Sequence, residues 1–325
     1  MKKPIAIFCG ELKSDALREV LNENYDLRCF TNNDEFYRAT KLHFASVEII
    51  LLTVDSVFDI NLLRRMPSLL KLISLTTSLT HINPDAQKLL MNEGKLITLR
   101  DFWDQMAEVT GAADLALMLI LMGARRASLA SLKSANNPFI RNSEFLTHEF
   151  SALRIGIIGY GRIGQRVGKY LKGLGISYSV YDPNLKDVSN VIQHKRIEDC
   201  LNSVHGVLLS SSFETTSKQI LSKSLLIDKL NNSELFIVNI SRGELVSEEQ
   251  LIECALESKI SCYLTDVVSS EFKIKMKTKF LSKNLDQLIA EGKLFVMPHI
   301  GGYTYESTEK TQKIIYRYLK GFLYK

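Results

Sequence analysis

Short apolar runs alternate with amphipathic segments along nearly the whole chain. Runs with strand character fall at 4–8, 26–30, 48–52, 71–75 and 96–98. Between them, apolar residues recur at helical spacing over 12–22, 34–41, 59–66 and 84–92. The stretch 101–131 reads as one long apolar helical segment, with AEVTGAADLALMLILMGARR at its centre, and 134–150 as a polar, turn-rich connection. Beyond it the alternation resumes. Strands are expected at 155–158, 177–181, 205–209, 235–240, 261–266 and 294–297, and a last helix over 304–323. Strands that alternate with helices imply parallel sheets with helices on both faces. The fold class expected is therefore α/β, with two doubly wound parallel-sheet domains. One comprises 1–103 plus 304–325, and the other, 104–303, is inserted into it. A chain of 325 residues is long enough for two cores.

Composition narrows the function classes. A hydrophobic share of 46% and a charged share of 24% are ordinary for a globular protein. The net charge of +5 is scattered, apart from KIKMKTK at 273–279. No aromatic platform is interleaved with that cluster, so it reads as a solvated loop and no nucleic-acid partner is expected. The five cysteines, Cys9, Cys29, Cys200, Cys254 and Cys262, are widely spaced and form no C-x-x-C. That argues against a disulfide framework and against a zinc site, so no metal is expected and a reducing cytoplasm fits. The apolar run of MKKPIAIFCG is too short for a signal peptide. LALMLILM at 115–122 is closed off by Arg125 and Arg126, so it reads as a buried helix and no membrane association is expected.

The stretch RIGIIGYGRIGQRVGKY, residues 154–170, carries Gly159, Gly161 and Gly164 at G-x-G-x-x-G spacing. The motif alone is weak. Here an apolar strand precedes it, Ile163, Val167 and Leu171 follow at helical spacing, and SYSVYD at 177–182 ends on Asp182. That context is the fingerprint of a dinucleotide site. Gly159 permits the sharp turn, Gly161 lets backbone approach a pyrophosphate, and Gly164 lets helix and strand pack closely. The helix N-terminus presents free N–H groups to the phosphates. Asp182 is positioned to accept from ribose hydroxyls and to repel a 2′-phosphate, which favours NAD over NADP.

Three residues further on follow the ends of expected strands: Arg242 in VNISRGELV, Glu271 in TDVVSSEF and His299 in VMPHIGG. In an open parallel sheet that edge is where ligands bind. Alone, such an Arg is ordinarily a surface or capping residue, such a His structural and such a Glu solvated. Together, downstream of a dinucleotide site, they match the needs of hydride transfer to a keto acid. Arg offers a bidentate fork to a carboxylate. His donates a proton near neutral pH, and a neighbouring carboxylate orients it and favours its protonated form.

With GYGRIG at 159–164, SRG at 241–243, DVVSSE at 266–271 and PHIGG at 298–302, the sequence resembles the D-isomer-specific 2-hydroxyacid dehydrogenases. The resemblance implies a Rossmann NAD-binding domain inserted into a flavodoxin-like substrate domain. It implies Arg242 for substrate binding, His299 as acid/base and Glu271 as its partner. It adds Tyr160, Arg162, Ile163, Ser210, Ile240, Ser241, Gly301 and Gly302 to the cofactor loops, and gives Asp266 the nicotinamide carboxamide. Thr77 and Ser78 fall where a backbone turn holds the substrate carboxylate. Ala113-Asp114 stands where an alanine-glutamate pair begins the inserted domain. A 2-hydroxy or 2-keto acid substrate and a homodimer through residues 110–150 are the expected partners. The sequence departs from the pattern at Phe272, at the lysine-rich segment before His299, at Ser210-Ser211-Ser212 and at TTSLTH, 76–81. These departures keep two alternatives open. One is a dinucleotide sensor or corepressor on the same fold, and the other a formate or phosphite oxidiser. Arg100 and Trp103 are weighed as substrate selectors and read instead as packing residues. His81 fits either a site role or a local hydrogen bond.

Overall fold

Among the described residues, every strand pairs in parallel with its neighbours. The computed structural model describes residues 3–31, 35–37, 44–54, 56–136, 141–186, 188–212, 220–222, 225, 235–269 and 283–324. The chain divides into two compact units, Met1–Val109 with Thr304–Lys325, and Thr110–Tyr303.

The first unit holds β1 (Ile5–Cys9), β2 (Asp26–Phe30), β3 (Val47–Leu52), β4 (Lys71–Ser74) and β5 (Leu96–Thr98) in the order β2-β1-β3-β4-β5. That is the flavodoxin-like order. Helices α1 (Asp15–Asn24), α2 (Ile60–Arg64) and α3 (Pro84–Asn92) connect them. β1 is buried on both faces, so its residues are apolar without alternation. Ile5, Ile7 and Cys9 enter one core, and Ala6 and Phe8 the other. Of the helix expected over 34–41, only 35–37 lies within the described residues.

The expected long helix over 101–131 is broken. A 3-10 turn spans Leu99–Phe102 and another Gln105–Glu108 before α4 (Gly111–Ala124) begins. The Thr98–Asp101 capping box starts the first turn, and its geometry does not continue into an α-helix. At Arg126 the backbone is left-handed (φ 48°), which ends α4 and starts α5 (Ala127–Asn136) in a new direction. No single helix among the described residues is long and apolar enough to cross a membrane; α4 and part of α5 reach that composition only together, across a 62° bend. Ala113, Ala116, Leu119 and Ile120 of α4 are buried in the core of the second unit.

That core belongs to a seven-stranded sheet of order β12-β11-β10-β9-β6-β7-β8. Its strands are β6 (Arg154–Ile158), β7 (Ser177–Tyr181), β8 (Ile192–His194), β9 (Gly206–Leu209), β10 (Phe236–Asn239), β11 (Cys262–Thr265) and β12 (Leu294–Val296). Helices α6 (Arg162–Gly173), α7 (Ile197–Cys200), α8 (Glu248–Leu256) and α9 (Lys283–Ala290) lie in the connections. Gly123 and Gly206 make room for the Phe236 ring, since a Cβ would lie 2.5 Å from it at the former and 2.2 Å at the latter. The last helix, α10 (Tyr305–Leu323), belongs to the first unit. There the buried Gln312 accepts from Lys13 N and Ser14 N (2.9 and 2.8 Å) and donates to Glu11 O, fixing the loop after β1.

Candidate active site

The strand order of the second unit reverses between β6 and β9, and the chain turns at their carboxyl ends meet there. Gly159 leaves β6 with φ +90°, and a Cβ on it would lie 2.4 Å from Ser211 N. Both constraints demand glycine. Gly164, on the first turn of α6, presses against the same turn, with Gly159 O 2.3 Å from where its Cβ would be. Gly161 is different. It is the N-cap of α6, and a Cβ there would meet nothing within 4 Å. Open space before a helix N-terminus with no side-chain cap fits a pyrophosphate. Tyr160, Arg162 and Ile163 frame this turn. The half-buried Arg162 has its guanidinium pKa lowered, first by burial and then by Arg166 one turn on.

Asp182 follows β7 and takes two main-chain donors, Tyr160 N on Oδ2 (2.8 Å) and Asn184 N on Oδ1 (2.9 Å). The second bond makes a local turn and the first fixes the carboxylate beside the glycine loop. Ser210 follows β9. Its hydroxyl donates to Gly159 O (2.6 Å) and packs against Gly164, so the serine loop braces the phosphate turn.

The remaining residues stand along the same edge. Ile240, Ser241 and Arg242 follow β10, and the Ser241 hydroxyl donates to Ser211 O (2.8 Å). The Arg242 guanidinium donates to the Ser241 carbonyl. Gly243 is required because a Cβ would lie 1.9 Å from Ser269 N, in the loop after β11. Asp266, buried after β11, accepts Ile300 N (2.8 Å) and Gly301 N (2.7 Å), one on each oxygen. That clasp holds the loop carrying His299, whose backbone is left-handed (φ 56°). Gly301 approaches so closely that a Cβ would lie 2.9 Å from the Asp266 carboxylate, while Gly302 faces open space. Glu271 and Phe272, with the lysine cluster 273–279, lie outside the described residues.

Thr77 and Ser78 belong to the other unit, in the turn after β4. A ladder of hydroxyls runs through it: Ser74 to Thr76 (3.2 Å) and Ser78 to Thr80 (3.0 Å), with Ser78 N donating to Thr76 Oγ1 (3.1 Å). His81 is buried, with Nε2 3.3 Å from Ser74 Oγ. Arg100 is half-buried, and burial lowers its guanidinium pKa. In the second unit, Asp114 accepts from Tyr170 (2.7 Å) and from Thr110 (2.9 Å) at the start of α4. No cluster of His, Cys, Asp and Glu suited to a metal ion occurs among the described residues.

Two residues that the motifs did not flag are Asn239 and Tyr263. They meet beneath Arg242, with Asn239 Nδ2 3.1 Å from the Tyr263 hydroxyl. A polar residue ending an otherwise apolar buried strand was the available signal.

Residues 117–301, more than half of the chain, match the family described as D-isomer specific 2-hydroxyacid dehydrogenase, NAD binding domain. The seven-stranded unit is thus an NAD-binding domain. A glyoxylate reductase of Thermococcus gammatolerans is 28% identical over 219 residues, 65% of this chain and 62% of that protein. A D-specific alpha-keto acid dehydrogenase of Enterococcus faecalis is 28% identical over 208 residues, 61% of this chain and 62% of that protein. The alignments thus span about three fifths of those relatives' length. A D-lactate dehydrogenase from Aquifex aeolicus, solved with NAD and lactic acid, shares the fold with a TM-score of 0.80 at 20% identity, over 98% of this chain and 95% of that one.

Proposed function

The chain belongs to the D-isomer-specific 2-hydroxyacid dehydrogenase family, and on that premise we propose that it is an NAD-dependent oxidoreductase acting on a 2-hydroxy acid/2-keto acid pair. The observation that carries the reading is the Asp266 clasp, which fixes the His299 loop on the same sheet edge as Arg242 and the glycine turn. Bound NADH supplies the hydride, and everything else falls to side chains. The Arg242 fork binds the substrate carboxylate and polarises its carbonyl. His299 gives a proton to the carbonyl oxygen as C2 is reduced, and takes it back in the oxidative direction. Glu271 serves as the partner of His299, a role carried by the family resemblance. Asp182, held by Tyr160 N, selects NAD through the ribose hydroxyls. Asp266 meets the nicotinamide carboxamide, a role carried by the family resemblance. A homodimer through residues 110–150 and a reducing cytoplasm, suited to five free cysteines, complete the reading.

The turn after β4 favours a second reading, a dinucleotide-binding sensor or corepressor with little catalysis. The Ser78 amide, assigned to a substrate carboxylate, already donates to Thr76. The variant His299→Gln separates the two. A dehydrogenase loses about a hundredfold or more in kcat while NADH affinity stays near wild type. An unchanged rate removes His299 from the mechanism.

A further inference from the structure

The segment VNISRG contains one residue that no role above uses. Asn239 ends β10 and is fully buried, yet its amide spans the turn that carries Arg242. Oδ1 accepts from Ser241 N at 3.0 Å, and Nδ2 donates to Arg242 O at 3.0 Å and to the Tyr263 hydroxyl at 3.1 Å. The side chain thus grips the main chain on both sides of the Ser241–Arg242 peptide. Tyr263, buried on the adjacent strand β11 three residues before Asp266, holds the amide in the orientation that lets it do so. The Arg242 guanidinium in turn donates to the Ser241 carbonyl, so the peptide that Asn239 fixes also sets the direction of the arginine fork.

We propose that Asn239, oriented by Tyr263, is a positioning residue for Arg242: it fixes the turn that aims the guanidinium at the substrate carboxylate. The inference rests on the reading of Arg242 given above. A buried amide with three satisfied bonds is rigid, because any rotation strands polar groups away from water. Bidentate recognition of a carboxylate needs that rigidity, since displacement of the fork by about 1 Å can lower the rate on the order of a hundredfold.

The test compares Asn239→Ala, Tyr263→Phe and Arg242→Gln, singly and with Arg242→Gln combined with each of the others. Four quantities are read: the dissociation constant of oxamate, an unreactive 2-keto acid mimic, from the NADH-bound protein; kcat and KM for glyoxylate; the dissociation constant of NADH; and the melting temperature. Asn239→Ala is expected to weaken oxamate binding and raise KM about tenfold, more than it lowers kcat, while NADH affinity stays within about twofold. Tyr263→Phe keeps the ring and removes one hydroxyl, and is expected to shift the same quantities about threefold. On the Arg242→Gln background neither change adds to the loss, because both act through the arginine. A purely structural Asn239 would lower melting temperature and NADH affinity together and would add its full effect to Arg242→Gln. Either result overturns the proposal. Should Asn239→Ala fail to fold, Tyr263→Phe decides: unchanged oxamate affinity there, with affinity lost in Arg242→Gln, refutes the positioning role alone. Oxamate affinity retained in Arg242→Gln, or absent from the wild type, refutes the carboxylate role of Arg242 and this inference with it.

Discussion

Alanine at Gly161 and at Gly164 separates binding from folding on one helix. At Gly161 the φ of −76° suits any residue, and a Cβ meets no protein atom within 4 Å. Restricting the unfolded chain stabilises by about 0.4–1 kcal/mol, and the weaker N-cap propensity of alanine offsets part of it. The net change in stability should lie within about 1 kcal/mol, a few degrees in melting temperature. The methyl group, however, stands where the pyrophosphate approaches, so NADH affinity should fall by about one to two orders of magnitude, on the order of 1.4–2.8 kcal/mol. At Gly164 the same methyl lies 2.3 Å from Gly159 O, against the 3.4–4 Å of ordinary contact. Carbonyl and helix must part by about 1 Å, an overpacking penalty of about 1–3 kcal/mol. The gain of about 1 kcal/mol in helix propensity offsets some of it. Gly164→Ala should therefore lower the melting temperature, whereas Gly161→Ala should not. Thermal melts and quenching titrations with NADH measure both. Wild-type NADH affinity in Gly161→Ala would refute the assignment of that open space to the phosphates.

Asp182→Ser removes the carboxylate beside the glycine turn, and should shift the ratio of NADH to NADPH affinity toward NADPH by about tenfold or more, measured by paired titrations. Alkaline pH should destabilise the first unit. Burial, then Glu48 for Tyr25 and Asp59 for Tyr37, raises both phenols from their ordinary 10.0 to about 12. Their stabilising contribution is full below pH 10 and is lost as pH rises through about 12, so denaturant midpoints should fall across that window. Substituting both with Phe should flatten the fall.

The fold was legible where burial is two-sided. β1, β3, β9 and β10 are apolar runs because both faces are covered, and the alternation with helices gave parallel sheets. β8 escaped notice because it has three residues and, among the described residues, lies at the sheet edge beside β7, with Ile192 exposed. The break at Arg125–Arg126 was invisible to periodicity, since apolar residues continue on both sides of a bend set by one left-handed residue. The glycine turn was readable because Gly159 and Gly164 each answer a steric demand of the turn, while Gly161 leaves the space before the helix open. The Asp266 clasp was not, because a hydrogen bond to a loop 34 residues further along the chain leaves no local pattern.

The proposed activity is hydride transfer between a nicotinamide and a 2-hydroxy acid/2-keto acid pair. The most direct test follows NADH oxidation at 340 nm by the purified protein, across small aliphatic, phosphorylated and sugar-derived 2-keto acids, each repeated with NADPH. Saturable turnover is expected with one class, faster with NADH than with NADPH, and about a hundredfold or more slower in His299→Gln. Saturable NADH binding with no turnover on any 2-keto acid would contradict the proposed activity.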